Sequence, residues 1–445
     1  MSSIPAGTRT PGLEMVQTVS GAFEDMRFSR VHAKIAIALF ITFVIEAWEQ
    51  LALVYVSDNL ASSFGLDFEQ LGVALSAVAT GMIPGVLIWG PIADRFGRKP
   101  VAVISLGVYS LIALAAAFST SFEMLTGLRI LSGIALAGIY TVTFPYFLEL
   151  MPTKVRGRAT VLLSIGWPIG VLAAVASSQM LGFLGWQAVA IASAAAGIWT
   201  FLVWAWVPES PYWLATRGRF SDVRKVLGRL RVSVSPDAVF GLEGSKSAAK
   251  PWLLLSRPLR RITLLMLILN FAFNWAYWGL QTWLPTLLQQ KGLSLSSSLD
   301  FVALSALFMI PGYVSASLLT RKFGRKKLFV AYLAGSVLSG LLFAYAPDVT
   351  VLYVANFALS FFMLGAWGIW NTWNCEFYPT VLRNTGSSWA LAAQLIATAA
   401  APSTVGFLLG QSVDFTGTVV IISGFLLLTL AVSLPLPETE GKGLT

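Results

Sequence analysis

Three ionisable side chains stand inside long apolar stretches of this 445-residue chain: Glu46, Glu49 and Arg129. The two acids lie near the middle of IAIALFITFVIEAWEQLALVYV, residues 35–56. As a helix rising about 1.5 Å per residue, that run covers roughly 33 Å, close to the ~30 Å hydrocarbon core of a bilayer. An ionised acid at that depth costs about 2.5–3.5 kcal/mol, and less once it is protonated or paired. Two acids three residues apart share one helix face, which must turn toward protein or a water-filled cavity. With both acids ionised, the set carries an excess negative charge that repels an anionic solute. Protonating one acid removes the excess, and protonating both leaves Arg129 free for a carboxylate. Burial and a like-charged neighbour both favour the neutral form of a carboxyl, so proton uptake near neutrality is feasible. The set therefore reads as a proton-coupling group: Glu46 and Glu49 bind protons, and Arg129 balances charge or contacts a carboxylate. If the acids stay ionised, the same set suits an organic cation. The plainest alternative is a structural ion pair between Glu49 and Arg129.

A second group supplies shape and hydrogen bonds. One apolar stretch carries Asn270, Asn274, Trp275, Tyr277, Trp278 and Gln281; another carries Trp367, Trp370, Asn371, Trp373 and Asn374. Amides orient a polar solute and flat rings stack on a planar one. Asn274, Trp278 and Gln281 fall at helical spacing on one face and are expected to contact substrate, with Asn371. Trp48, Tyr140, Gln50 and Trp167 are further candidates. Trp is also enriched at membrane interfaces, so packing or interfacial anchoring competes for each ring.

The elements that must position these groups are legible from composition. Hydrophobic residues make up 56% and charged residues 11%, against about 25% charged in soluble domains, so the chain is a membrane protein. Twelve apolar stretches of spanning length fall at about 35–56, 70–93, 101–119, 124–147, 159–182, 186–207, 262–285, 301–320, 328–346, 349–374, 386–410 and 416–436. Of the 30 basic residues, only Lys291 lies in the opposite set of loops and only Arg129 within a span. That asymmetry places both termini in the cytoplasm of a cell inner (plasma) membrane. The net charge of +9 therefore anchors the chain to lipid head groups and does not indicate a nucleic-acid partner. No cleavable signal peptide is visible in the polar residues 1–30. Cys375 reads as a packing residue and His32 as a cytoplasmic surface residue.

The stretch Pro208 to Arg261 divides the chain into an N-terminal six-helix half (1–207), a cytoplasmic linker (208–261) and a C-terminal half (262–445). Ser210–Arg231 is expected to form amphipathic helix on the membrane surface. An ungapped offset of 227 aligns Phe96, Gly97, Arg98 and Lys99 with Phe323, Gly324, Arg325 and Lys326. The same offset aligns Glu149, Pro152, Thr153 and Arg156 with Glu376, Pro379, Thr380 and Arg383. Two similar halves with a binding site between them near the midplane is the physical expectation. Gly133 and Gly138 allow close helix approach, and Pro91, Pro145, Pro168, Pro285 and Pro311 shape spans.

GPIADRFGRK, 90–99, resembles the loop signature of the major facilitator superfamily. Within it, FVIEAWE, LRILSGIALAG, YWGLQTWLPTLL and PESPYWLATRGR resemble the metabolite–proton symporters, the branch of the nicotinate and aromatic-acid carriers. Tyr212 stands where sugar porters usually have Arg, and their glutamine-rich seventh helix is missing. The resemblance implies an all-α membrane protein with the major facilitator fold, twelve transmembrane helices in two six-helix pseudo-symmetric halves. It implies gating contacts among Asp94, Arg95, Arg98, Glu149 and Arg156, and in the second half among Arg325, Glu376 and Arg383. Arg321 stands where Asp94 does, so the second latch is expected to be weaker or differently wired. The chain thus reads as a proton-coupled importer of a small organic anion working by alternating access. It is read as a monomer whose partners are its small-molecule substrate, protons and membrane lipids, with no cofactor. GWPIG, 166–170, only faintly resembles the antiporter signature of a fifth helix, against export. A carrier of an organic cation, sugar or neutral metabolite, an exporter and a non-transporting sensor are the competing readings. No nucleophile–base set, metal-ligand cluster or nucleotide loop points to an enzyme.

Overall fold

The computed structural model describes residues 16–24, 26–232, 239–241, 251–379 and 382–439. Among them are twelve helices long and apolar enough to cross a membrane. In the first half these are α1 (Arg30–Phe64), α2 (Phe68–Phe96), α3 (Arg98–Ala116), α4 (Phe122–Leu150), α5 (Ala159–Leu184) and α6 (Trp186–Trp206). The second half has α7 (Leu259–Gln290), α8 (Leu295–Thr320), α9 (Arg325–Ala344), α10 (Val349–Trp373), α11 (Thr385–Gly410) and α12 (Phe415–Ser433). Each expected span is a helix. The first runs past its expected end through a 3-10 turn at Val54–Val56 and stops at Gly65, whose φ of 64° few other residues adopt.

Helix starts at the end of the bundle away from the termini are written locally. Asp67, Ser121, Ser294, Asp348 and Asp414 each accept a backbone N–H three residues on, opening α2, α4, α8, α10 and α12. At the terminus-bearing end, α3 and α9 begin on Gly97 and Gly324 and take their caps from far along the chain, as described below.

The repeat extends into helix packing. Gly85 on α2 lies so close to Ile134 of α4 that a Cβ there would collide with its backbone; Gly312 on α8 meets Phe361 of α10 in the same way. All four positions obey the 227 offset. Gly133 packs on the backbone of Val78 and Gly138 on Ser105, as their spacing suggested. Across the halves, α2 runs along α11 and α5 along α8.

Among the described residues, the hydrogen bonds that join the halves lie at mid-depth or toward the end away from the termini. Ser76 Oγ and Ser403 Oγ are 2.7 Å apart, and Ser403 N–H donates to Ser76 Oγ at 3.0 Å. Gln281 donates to Tyr55 Oη (2.7 Å), Gln289 to Asp58 (3.1 Å) and Gln179 to Asp300 (2.8 Å). At mid-depth Trp167 Nε1 donates to Tyr277 Oη at 2.5 Å. These bonds tie the two halves together at that end.

Two expectations are corrected. Ser210–Arg231 forms two short helices, Pro211–Thr216 and Phe220–Arg229. Their apolar residues Trp213, Leu214, Val223 and Leu227 are buried in the same core as Ala93, Val203 and Val207. The apolar face is spent on protein, so it is not free to lie on a membrane. His32 is fully buried, not a surface residue: its ring closes the turn at Ser29 and sits 2.9 Å from Met26 Sδ. Residues Val16–Thr18 pair in parallel with Val239–Gly241, a two-stranded addition to an otherwise helical chain. The side chains of Cys375 and Arg321 lie outside the described set.

Candidate functional site

Glu46 and Glu49 are both 1% exposed on α1. Glu49 turns into the first half. Its Oε2 accepts hydrogen bonds from Tyr109 Oη on α3 and from Ser193 Oγ on α6 (2.5 Å), and those two hydroxyls are 3.0 Å apart. Its Oε1 is buried without a hydrogen-bond partner. Arg129 on α4 acts on Glu49 electrostatically, but no ion pair within 4.0 Å joins them among the described residues. Arg129 therefore stands near enough to offset the charge of Glu49 without a direct contact. Tyr140, also on α4, lies within electrostatic reach of Glu46. The N-terminal half thus gathers Glu46, Glu49, Arg129 and Tyr140, and adds Tyr109 and Ser193. Sequence reasoning missed those two because single hydroxyls in apolar helices carry no pattern.

The substrate candidates divide. Trp278 lines a cavity of about 10 Å³ between the halves with Gln50, Thr282, Thr398 and Pro402, room for about one water. Gln50 Nε2 is buried there without a partner. Gln281 is engaged by Tyr55, and Asn274 donates to Asn270 O at 2.9 Å. Asn270 Oδ1 in turn accepts from Trp370 Nε1 (3.0 Å) and Gln394 (2.6 Å), so an amide–indole cluster binds α7, α10 and α11 together. Asn371, on the other side of Trp370, is exposed and has no hydrogen-bond partner among the described residues. Trp275 stacks on Phe425 at 3.9 Å, and Trp48 donates to Ser177. Thr282 and Thr398 were not anticipated. A larger cavity of about 570 Å³, lined by Leu267, Phe271, Trp389 and Ile396, is apolar and holds none of the ionisable groups.

At the terminus-bearing end the expected latches appear in part. Arg98 bonds Asp94 (3.1 Å) and approaches Glu149 (3.7 Å). In the second half Arg325 pairs directly with Glu376, which also accepts from Thr439 Oγ1 at 2.6 Å. That pair is wired differently from the first, as the sequence suggested: its acid also takes a hydroxyl donor. Arg95 lies over the Phe96 ring. Arg156 donates to Tyr212 Oη (2.9 Å) and to Met151 O, not to an acid; the Tyr212 exchange gives it a hydroxyl and a ring to rest on. Arg383 Nε is buried without a partner among the described residues.

Two further carboxylates went unread. Glu209, at the end of α6, accepts the backbone N–H groups of Arg98 (3.0 Å), Lys99 (3.2 Å) and Ser210 (2.8 Å). Glu438, at the end of α12, accepts those of Arg325 (3.1 Å), Lys326 (3.0 Å) and Thr439 (3.0 Å). Each caps the positive end of a helix in its own half. The signal was present: Val-Pro-Glu-Ser at 207–210 matches Leu-Pro-Glu-Thr at 436–439, offset by 229 rather than 227. Burial pushes the Glu209 carboxyl up, against the opposing pull of its backbone donors.

The fold and this arrangement define a polytopic membrane carrier. The Major Facilitator Superfamily model matches residues 35–321 and 301–445, and the chain belongs to that family. It is 30% identical to the "Niacin transporter NiaP" of Acinetobacter baylyi over 95% of this chain and 97% of that protein. It is 28% identical to the "4-hydroxybenzoate transporter PcaK" of the same species, covering 82% of each. Among solved structures, the inward-open xylose transporter XylE of E. coli superposes with a TM-score of 0.72 at 17% identity, covering 93% of this chain and 98% of that one. The chain is a multi-pass membrane transporter, not an enzyme.

Proposed function

We propose that this transporter carries a small aromatic carboxylate into the cell together with protons, by alternating access. The observation that carries the reading is the buried set Glu46, Glu49 and Arg129, with no ion pair closed among them. Such a set changes its net charge with protonation and so changes its affinity for an anion. The names of the relatives, which move niacin and 4-hydroxybenzoate, suit the flat rings and free amide of the facing half. In this reading protons bind Glu46 and Glu49, and Arg129 balances them or meets the carboxylate. Trp278, Gln50, Thr282 and Thr398 would take the ring and polar edge of the solute, with Asn274, Gln281, Asn371, Trp48 and Tyr140 as supporting or neighbouring contacts. The termini lie in the cytoplasm of an inner membrane, as the basic loops suggest, and the break between halves falls at residues 208–261. Asp94, Arg95, Arg98, Glu149, Arg156, Arg325, Glu376 and Arg383 form the inner latches, and the chain works as a monomer surrounded by lipid.

Proteoliposomes holding an internal pH dye test this with niacin, 4-hydroxybenzoate, xylose and an organic cation. Acid-dependent internal acidification with the aromatic acids, lost in Glu46→Gln, is the expected result. Uptake of the cation alone with no proton signal would replace this reading with cation carriage, and proton movement unchanged in Glu46→Gln would remove that acid from the mechanism.

A further inference from the structure

The three oxygens around Glu49 can be counted as protons. Glu49 Oε2, Tyr109 Oη and Ser193 Oγ are each within hydrogen-bonding reach of the other two. Three contacts need three hydrogens. The hydroxyls bring two, one each. With Glu49 ionised, one contact sets lone pair against lone pair, and Oε1 is a charged oxygen buried with no donor. With Oε2 protonated, each oxygen donates once and accepts once around the triangle, and Oε1 becomes a neutral carbonyl oxygen, which is far cheaper to leave bare. The charged group acting on Glu49 is Arg129 from α4. Glu46 lies one turn away on α1, within electrostatic reach of Tyr140; α3 contributes Tyr109, and α6 contributes Ser193, which does not titrate.

We propose that Tyr109 and Ser193 are positioning residues that hold Glu49 as the proton carrier, in an oxygen triangle completed only by the transported proton. The inference rests on the proton-coupling reading above and locates it: the proton site lies inside the N-terminal half, behind Gln50, which faces the cavity between halves. Loading it changes the charge opposite Arg129 without the proton and the solute sharing a pocket.

Infrared difference spectra of the full chain in lipid, titrated through neutrality without substrate, test it. The wild type is expected to show a protonated-carboxyl C=O band that is absent in Glu49→Gln. In both Tyr109→Phe and Ser193→Ala that band moves to higher frequency, because a carboxyl stripped of a hydrogen-bond partner vibrates faster. In parallel, the pH profile of proton-driven uptake shifts in both variants while exchange of substrate at equal pH persists. The two variants alter different helices, so misfolding of one leaves the other, checked by gel filtration. A Glu49 band unmoved in both would overturn the triangle and leave proton coupling standing. No Glu49-dependent band at any pH would overturn Glu49 as the proton carrier, and aromatic-acid uptake with no proton signal would overturn proton coupling itself.

Discussion

The two halves of this transporter share a backbone and differ in chemistry. Gly85 against Ile134 and Gly312 against Phe361 repeat one close helix contact, and Glu209 and Glu438 repeat one helix cap. At the same offset, Glu46, Glu49, Tyr109 and Arg129 become Phe273, Ala276, Ser336 and Asn356. Phe273 packs on Phe329 and Trp367, and Asn356 bonds Ser305 at 2.6 Å. The second half has filled the acid site with hydrocarbon and neutral amide. Backbone geometry must be kept in both halves because each packs six helices in the same way. Charge is needed once, and each buried copy costs several kcal/mol.

The largest effect should come from breaking that asymmetry. Ala276→Glu places an acid at the counterpart of Glu49, where the positions matching Tyr109, Ser193 and Arg129 carry Ser336, Val420 and Asn356. It should lower stability by about 2.5–3.5 kcal/mol, read as lost yield or a lower Tm in detergent; a variant as stable as wild type would mean that the two sites do not differ in their ability to hold an acid. The next change sharpens what the halves share. Gly85→Leu and Gly312→Leu should each cost about 1–3 kcal/mol by overpacking, and to a similar extent. Unequal thermal shifts would show that one contact carries more of its half.

The smallest effect concerns the caps. Glu209→Ala and Glu438→Ala should each cost about 1–2 kcal/mol. Glu209 adds a sign. Its carboxyl is held above its ordinary range in the folded chain, so its contribution to stability is fully present below the ordinary glutamate range and declines as pH rises through the elevated one. Glu209→Gln does not titrate, so it should gain in Tm relative to wild type as pH rises through that window. A constant difference across pH would mean that Glu209 does not titrate differently in the folded chain.

Much of the fold was legible because it depends on near neighbours. Span length, the one-sided placement of basic residues and the apolar periods are properties of contiguous sequence. Even the caps Asp67, Ser121, Ser294, Asp348 and Asp414 act on a residue three positions away. The amphipathic pattern of 210–231 was legible too, but not what it would cover, since membrane and protein offer the same apolar surface.

What the sequence determined by itself was that acids must lie in the membrane's depth, on which helix, and that the chain is built twice. The tertiary structure decided what those acids touch. Glu49 meets hydroxyls 60 and 144 residues away, and Glu209 caps a helix start 111 residues before it. Hydrogen bonds reach about 3 Å, so their partners are set by which helices are packed together, and no local spacing records that.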